Sequence, residues 1–401
     1  MQIESIRLRN FKSFRDVTLT NLPRFCILVG ANGTGKTTLF DLFGFLKDCL
    51  TFNVTRALQN RGGFDEVISR GVDKEEAIGI EIQFRMPITD VNRLVTYLLE
   101  IKRHDRQIVV HREILRYKRG VHGSPYHFLD FSNGSGRAVT NEQDFNKTKE
   151  KLTPEDQTLD KADILAVKGL GQFERFKAAN ALRRLIENWH ISDFHIKAAR
   201  GSKDASGYVD HLSVTGDNLQ LVANRMFENN DQDGRFALII ERMKRRVPGI
   251  EEIEPEQTRD GRLLLKFKDG SFQDPFIDKY VSDGTLKMFA YLTLLYDPAP
   301  HPLLCVEEPE NQLYPKLLWE LAEEFRAYAH TKKEGQVFVS THSPAFLNAA
   351  RVEEVFWLVK KNGYTQVKRA QEDPQISAYM AQGDQMGALW EQGLFTEADP
   401  Q

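Results

Sequence analysis

The chain has 401 residues, 41% of them hydrophobic and 28% charged, with a formal net charge of -3. That length suits two or three domains, or one large domain with an insertion, and the charge balance excludes a globally basic nucleic-acid binder. No run approaches the roughly 20 apolar residues that would span a bilayer, so no membrane association is expected.

The N-terminal residues MQIESIRLRNF alternate apolar with polar or charged side chains and lack the apolar segment of a signal peptide. The three cysteines, Cys26, Cys49 and Cys305, sit in apolar runs without metal-ligand spacing. They read as buried thiols of a reducing compartment, and a cytoplasmic location is expected.

Residues 2–9 read as a half-exposed strand, and a short loop follows at 10–14. RFCILV (24–29) is a continuous apolar run, the pattern of a buried strand, and it ends in a glycine-rich turn. A helix is expected from Lys36, with Leu39, Phe40, Phe43, Leu46 and Leu50 on its apolar face. Residues 61–71 read as a loop, and segments 76–87, 96–103 and 107–118 as an antiparallel sheet. The polar stretch from about 120 to 160 reads as a long loop or a mobile segment. Helices are expected over 172–189 and 217–246, and strands near 250–273.

The segment YVSDGTLKMF then opens an apolar helix, PLLCVEE (302–308) reads as a buried strand, and 315–330 as an amphipathic helix. QVFVSTHSP (336–344) is a strand ending in a loop, and a hairpin at 354–368 turns on Asn362-Gly363. The polar tail carries Met386, Leu389, Trp390, Leu394 and Phe395, which either pack on the chain itself or form a docking helix for a partner.

Four motifs carry chemistry. Gly30-Ala31-Asn32-Gly33-Thr34-Gly35-Lys36-Thr37 matches G-x-x-x-x-G-K-[ST] between a buried strand and a helix. Its glycines let backbone N–H groups converge on phosphate oxygens, and the helix N-terminus adds positive potential. Lys36 would reach the β- and γ-phosphates of ATP, Thr37 would ligate Mg²⁺, and Thr38 completes the loop's binding stretch. The strand Leu303–Val306 ends in paired carboxylates: Glu307 is assigned to the metal and Glu308 to the attacking water. His342 lies just past the next strand, where an imidazole can sense a γ-phosphate. Ser282 and Gly284 open a helix; by themselves they read as an N-cap, yet the same groups make an anion site.

SDGT before an apolar helix, LLCVEEPENQLYP, VSTHSPAF, and IRLRNFKSFRDVTL leading into LVGANGTGKTTLF together resemble the ABC-type ATPases of the RecF and SMC group. The resemblance is to its compact members without long coiled coils, and covers about 1–45 and 275–350. It implies an α/β fold: an ABC-type P-loop ATPase head with a mixed β-sheet, an antiparallel N-terminal sheet and a largely helical insertion. It also implies ATP and Mg²⁺ as cofactors and a homodimer with ATP at its interface. Ser282 and Gly284 would then contact ATP held by the partner. Lys36, Thr37, Glu307, Glu308 and His342 would act in their own chain, and Lys12 would lie near the base. This sequence departs from the group's pattern at Val281, Glu307 and Tyr314. No glutamine is assigned to a Q-loop; Gln59 and Gln83 are the nearest in position.

The expected divisions are 1–118 and 249–370 for the two parts of the ATPase head, 119–248 for a loop-rich and helical insertion, and 371–401 for the tail. The expected function is an ATP-hydrolysing, ATP-dependent dimeric switch. The resemblance suggests a separate effector, a nuclease or toxin, in genome maintenance or anti-phage defence. The alternative is a repair or recombination ATPase acting directly on DNA through Arg112/Arg116/Lys118/Arg119, Arg183/Arg184 and Arg242/Lys244/Arg245/Arg246.

Overall fold

The computed structural model describes residues 1–118, 124–146, 152–194, 196–204, 211–229, 234–330 and 335–398. The chain forms two compact units. One holds Met1–Trp189, Arg351–Asp384 and Leu389–Gln401, the other His190–Ala350 and Gln385–Ala388.

The first unit is built on an antiparallel sheet of eight strands. Their order is Phe14–Leu19, Gln2–Phe11, Ile78–Ile88, Val91–His104, Gln107–Tyr117, Tyr126–Ser132, Ser135–Val139 and Pro154–Thr158. The last three correct the expectation of a long loop from 120 to 160. Their buried side chains, Phe128, Leu129, Phe131, Ala138 and Val139, do not follow a clean alternation. Without a period of two, these short polar segments carry no strand signal in the sequence. Tyr117 stacks on Phe128 with ring centroids 3.8 Å apart, and Phe145 meets both edge-on, closing this end of the sheet.

The same unit pairs the strand Phe25–Val29 in parallel with Val355–Lys361, which returns antiparallel as Tyr364–Arg369. All five side chains of Phe25–Val29 are buried, as the continuous apolar run requires. The hairpin turns on Asn362 (φ 50°) and Gly363 (φ 84°), the two left-handed residues of a type I′ turn. Helix Lys36–Thr51 buries the five apolar residues expected of it. The 61–71 loop contains one short helix, Phe64–Val67. Helix 172–189 is shorter than expected, running over Lys177–Glu187.

Two of the glutamates buried in this unit, Glu113 and Glu142, cap helices. Glu113 accepts from the N–H groups of Ala166 and Val167 at 2.5 and 3.0 Å, and from the Tyr97 hydroxyl at 3.0 Å. Glu142 accepts from the Ala178 N–H at 2.8 Å, in the first turn of Lys177–Glu187. Burial raises Glu113 to about 7 and Glu142 to about 8, against the lowering effect of those hydrogen bonds.

The second unit places the strand Leu303–Glu307 between His190–Ser192 and Gln336–Thr341, all parallel. A second sheet pairs Arg262–Asp269 antiparallel with Lys203–Asp204, Ile250–Gln257 and Phe276–Ile277. Helices Leu219–Glu228 and Arg235–Arg246 match the two halves of the expected 217–246 stretch. Helix Asp283–Leu295 is buried along its length from Thr285 onward, and Pro315–His330 has the expected bounds.

In the tail, Met386, Leu389 and Phe395 are buried. Phe395 meets Trp357 edge-on at 5.4 Å, so this part of the tail packs on the chain itself. Cys26, Cys49 and Cys305 are buried free thiols, and burial raises Cys26 and Cys49 well above the usual thiol range. Among the described residues, no helix is long and apolar enough to cross a membrane.

Candidate nucleotide site

The phosphate loop lies in the first unit, between the buried strand Phe25–Val29 and the helix that begins at Lys36. Gly33 (φ 79°) and Gly35 (φ 107°) take left-handed conformations that other residues adopt only under strain. Gly35 also has no room for a side chain, since a Cβ there would lie 2.6 Å from Thr365 Oγ1. A Cβ at Gly30 would lie 2.7 Å from the Leu358 carbonyl oxygen. Asn32, Gly33 and Thr37 are exposed on the loop, whereas Thr34 and Lys36 are buried.

Lys36 donates from Nζ to the Gly30 carbonyl at 2.6 Å and the Ala31 carbonyl at 3.2 Å, curling the loop around its own ammonium. A buried cation framed by exposed loop backbone at a helix N-terminus suits an anionic ligand. A cavity of about 530 Å³ adjoins the loop, lined by Ala31, Asn32, Thr34, the 359–363 hairpin and Glu397.

Two residues that support this loop were not legible in the sequence. Thr365 donates from Oγ1 to the Thr34 carbonyl at 2.7 Å and shares a 2.8 Å hydrogen bond with the Ser13 hydroxyl. Their contact depends on a hairpin more than 300 residues along the chain, for which spacing gives no clue. Lys12 sits in the tight turn between the first two strands, at φ 50°. Its ammonium pairs with Asp41 at 2.5 Å on the helix following the phosphate loop, and Arg61 holds both Asp41 and Asp48 at 2.6 Å.

The acidic strand end, the histidine loop at Thr341–Ser343 and the Ser282–Gly284 turn, here called the signature turn, all lie in the second unit. Glu307 closes the strand Leu303–Glu307. Glu308 follows at φ 40°, a conformation that costs a non-glycine residue on the order of 1–3 kcal/mol. Its N–H donates to the Ser340 carbonyl at 2.9 Å, which fixes the turn against the neighbouring strand. Its carboxylate accepts from Asn311 Nδ2 at 3.3 Å and faces His342 Nδ1 at 3.4 Å.

Glu310, assigned no role from the sequence, anchors the histidine loop. One carboxylate oxygen accepts from the Thr341 hydroxyl at 2.8 Å and the His342 N–H at 3.0 Å, and lies 3.5 Å from His342 Nδ1. The Glu310 side chain is 8% exposed and the His342 ring 51%, so a shielded acid holds an accessible imidazole.

Ser282 is the N-cap of helix Asp283–Leu295: its Oγ accepts from the Thr285 N–H at 3.2 Å and lies 2.7 Å from the Thr285 hydroxyl. The cap does not bury it, for Ser282 and Asp283 remain exposed. Arg200 braces the turn before the cap. Its guanidinium donates to the carbonyls of Asp278, Lys279 and Val281 at 2.7–3.0 Å, and it pairs with Asp283. Behind it, Gln220 bridges the Ala199 carbonyl and Asp278 Oδ2, each at 2.7 Å. Gly284 is where the helix meets the loop after the acids: a Cβ there would stand 2.8 Å from the Gln312 carbonyl oxygen. One turn on, Lys287 donates to the Asn311 carbonyl at 2.9 Å, and burial lowers its ammonium to about 8 despite the nearby carboxylates.

The basic clusters are largely engaged within the chain. Arg183 pairs with Glu187 at 2.8 Å, Arg246 with Glu320 and Glu324 at 3.0 and 2.5 Å, and Arg242 with Glu324 at 3.3 Å. Arg112 lies 3.6 Å from Asp130 and Arg116 4.0 Å from Glu81; Arg119 lies outside the described residues.

A glycine loop closed by Lys36, an acid pair on a buried strand and a histidine past the next strand are the motifs of a P-loop ATPase. Residues 25–348 match the family model described as "AAA domain, putative AbiEii toxin, Type IV TA system", and the chain belongs to that family. The fold is also that of SMC heads. The crystal structure of the SmcHead bound to the C-winged helix domain of ScpA is 14% identical, with a TM-score of 0.55, covering 92% of this chain and 97% of that one. The Smc head domain with an extended coiled coil bound to the C-terminal domain of ScpA, derived from Pyrococcus furiosus, is 13% identical, with a TM-score of 0.53, covering 95% and 99%. No curated protein matches the chain.

Proposed function

We propose that this chain is an ATP-dependent dimeric switch that hydrolyses ATP and controls a separate effector, in genome maintenance or defence. The observation that carries the reading is that one chain has both a phosphate loop with a buried lysine and an exposed, braced Ser282 turn that no need of its own helix explains. A cap alone requires neither Arg200's clamp nor Gly284's close fit.

In this reading Lys36 and the N–H groups from Gly30 to Thr38 bind the phosphates, and Thr37 and Glu307 hold Mg²⁺. The metal would offset phosphate charge as bonds rearrange. Glu308 orients and deprotonates the attacking water, and its hydrogen bond from Asn311 together with its backbone tie to Ser340 keeps the carboxylate aimed. His342 donates toward the γ-phosphate, held by Glu310. Ser282 and Gly284 add hydroxyl, N–H and helix dipole to the phosphate bound by a second copy. Lys12, salt-bridged to Asp41, would flank the nucleotide base. The two solved heads are bound to parts of ScpA, which supports a separate protein partner for this chain too. Direct action on DNA finds less support, since the candidate arginines are mostly paired with carboxylates.

The test is ATP turnover per chain across protein concentration. A site made of two chains gives turnover that rises with concentration and then saturates. Turnover per chain that is constant down to nanomolar protein would overturn the dimeric reading.

A further inference from the structure

We propose that His211, Asp297 and His301 form a binding site for one divalent metal ion of the borderline class, such as Zn²⁺ or Co²⁺, apart from the nucleotide site. Asp297 and His301 lie on the connector from helix Asp283–Leu295 to the strand Leu303–Glu307, and His211 precedes helix Leu219–Glu228. One ligand atom from each lies within 4.8 Å of the others; among the described residues this is the group of such donors that closes around a common point. His211 Nδ1 is 3.0 Å from Asp297 Oδ2.

The chemistry of the set is specific. Two imidazoles and one carboxylate are the donors that borderline metals take, whereas Mg²⁺ and Ca²⁺ prefer all-oxygen shells. Around a tetrahedral ion with bonds of about 2.0–2.1 Å, ligand atoms stand about 3.4 Å apart, so small rotations of these side chains close the shell. The set is also shielded: Asp297 is 1% exposed and His301 5%, while the His211 side chain at 30% leaves a way in.

Outer contacts hold the donors. The Ala299 N–H donates to Asp297 Oδ1 at 2.9 Å, leaving Oδ2 to the imidazole. Asn218 holds the His211 carbonyl and Tyr328 the His301 carbonyl, both at 2.9 Å, and Arg235 holds the Asp297 carbonyl at 3.0 Å. Such supports fix ligand direction in metal sites. The buried ring of His190 lies 4.8 Å from that of His301, tilted by 32°. A metal here would staple the segment before Leu219 to the connector between the signature helix and the acidic strand.

The test is titration of the chelator-treated full chain with Co²⁺, without nucleotide. We expect visible absorption of a low-coordinate cobalt site that saturates at one equivalent. His211→Gln, at a partly exposed position, should weaken binding at least about 10- to 100-fold, and Zn²⁺ should raise the melting temperature of the parent chain but not of this variant. Glu307→Gln should retain the absorption. Absence of cobalt binding by the parent chain overturns the proposal, and so does an unchanged band in His211→Gln or a band lost only in Glu307→Gln.

Discussion

One Glu310 carboxylate oxygen accepts from both the Thr341 hydroxyl and the His342 backbone N–H, at 2.8 and 3.0 Å. This acid, two residues past Glu308, thereby sets the conformation of the loop that carries His342. Replacing it with alanine leaves two donors without their acceptor, at a cost of about 1–3 kcal/mol. Glu310→Ala should lower the melting temperature and turnover while ATP affinity is retained; Glu310→Gln, which keeps an accepting oxygen, should be milder. Equal turnover in Glu310→Ala and the parent chain would show that the loop does not depend on this contact.

Glu308→Gln should bind ATP, lose about 10²- to 10⁴-fold in turnover, and accumulate as a dimer with ATP. Light scattering coupled to gel filtration reads the outcome. A monomer at saturating ATP would count against both the residue's role and the dimer.

Lys36→Ala removes a charge-assisted hydrogen bond and should weaken ATP binding by about 10- to 100-fold in calorimetry. Ser282→Arg should retain binding yet lose turnover. In a mixture of the two, half the dimers would be mixed, with one intact site each. Activity of about a quarter of the parent's should then return. Two variants that stay silent when mixed, or full activity in Ser282→Arg alone, would refute action across the interface.

Glu113 and Glu142 make stability fall as pH rises. Their folded pKa values, about 7 and about 8, lie above the ordinary 4.5. Between 4.5 and those values the folded chain binds more protons than the unfolded one, so stability is lost over that window. The loss is on the order of a few kcal/mol. Glu142→Gln mimics the protonated acid and should flatten the decline in melting temperature between pH 5 and 8. A slope identical to the parent's would remove Glu142 from the account.

The parts of the fold that were legible in the sequence are those with strong local periods. Phe25–Val29 and Leu303–Val306 are apolar throughout because both faces of a parallel strand are covered, and Asn362-Gly363 announces its own turn. The strands between Tyr126 and Thr158 were hidden because short, polar antiparallel strands look like loop, and only packing such as Tyr117 on Phe128 reveals them. Within the site, the phosphate loop follows a spacing rule. Thr365, Arg200 and Glu310 obey none, since their partners lie at distances along the chain that only the fold sets.

Gly284 has a mechanical consequence. With no side chain to separate them, the first turn of the signature helix rests directly on the Gln312 carbonyl, and Lys287 ties the next turn to Asn311. That loop begins at Glu308, whose strained backbone has little freedom to relax unnoticed. The helix start and the acidic turn are thus geared together without play. A shift of the backbone at Glu308 would therefore be passed to the exposed Ser282 turn through the contact of Gly284 with the Gln312 carbonyl.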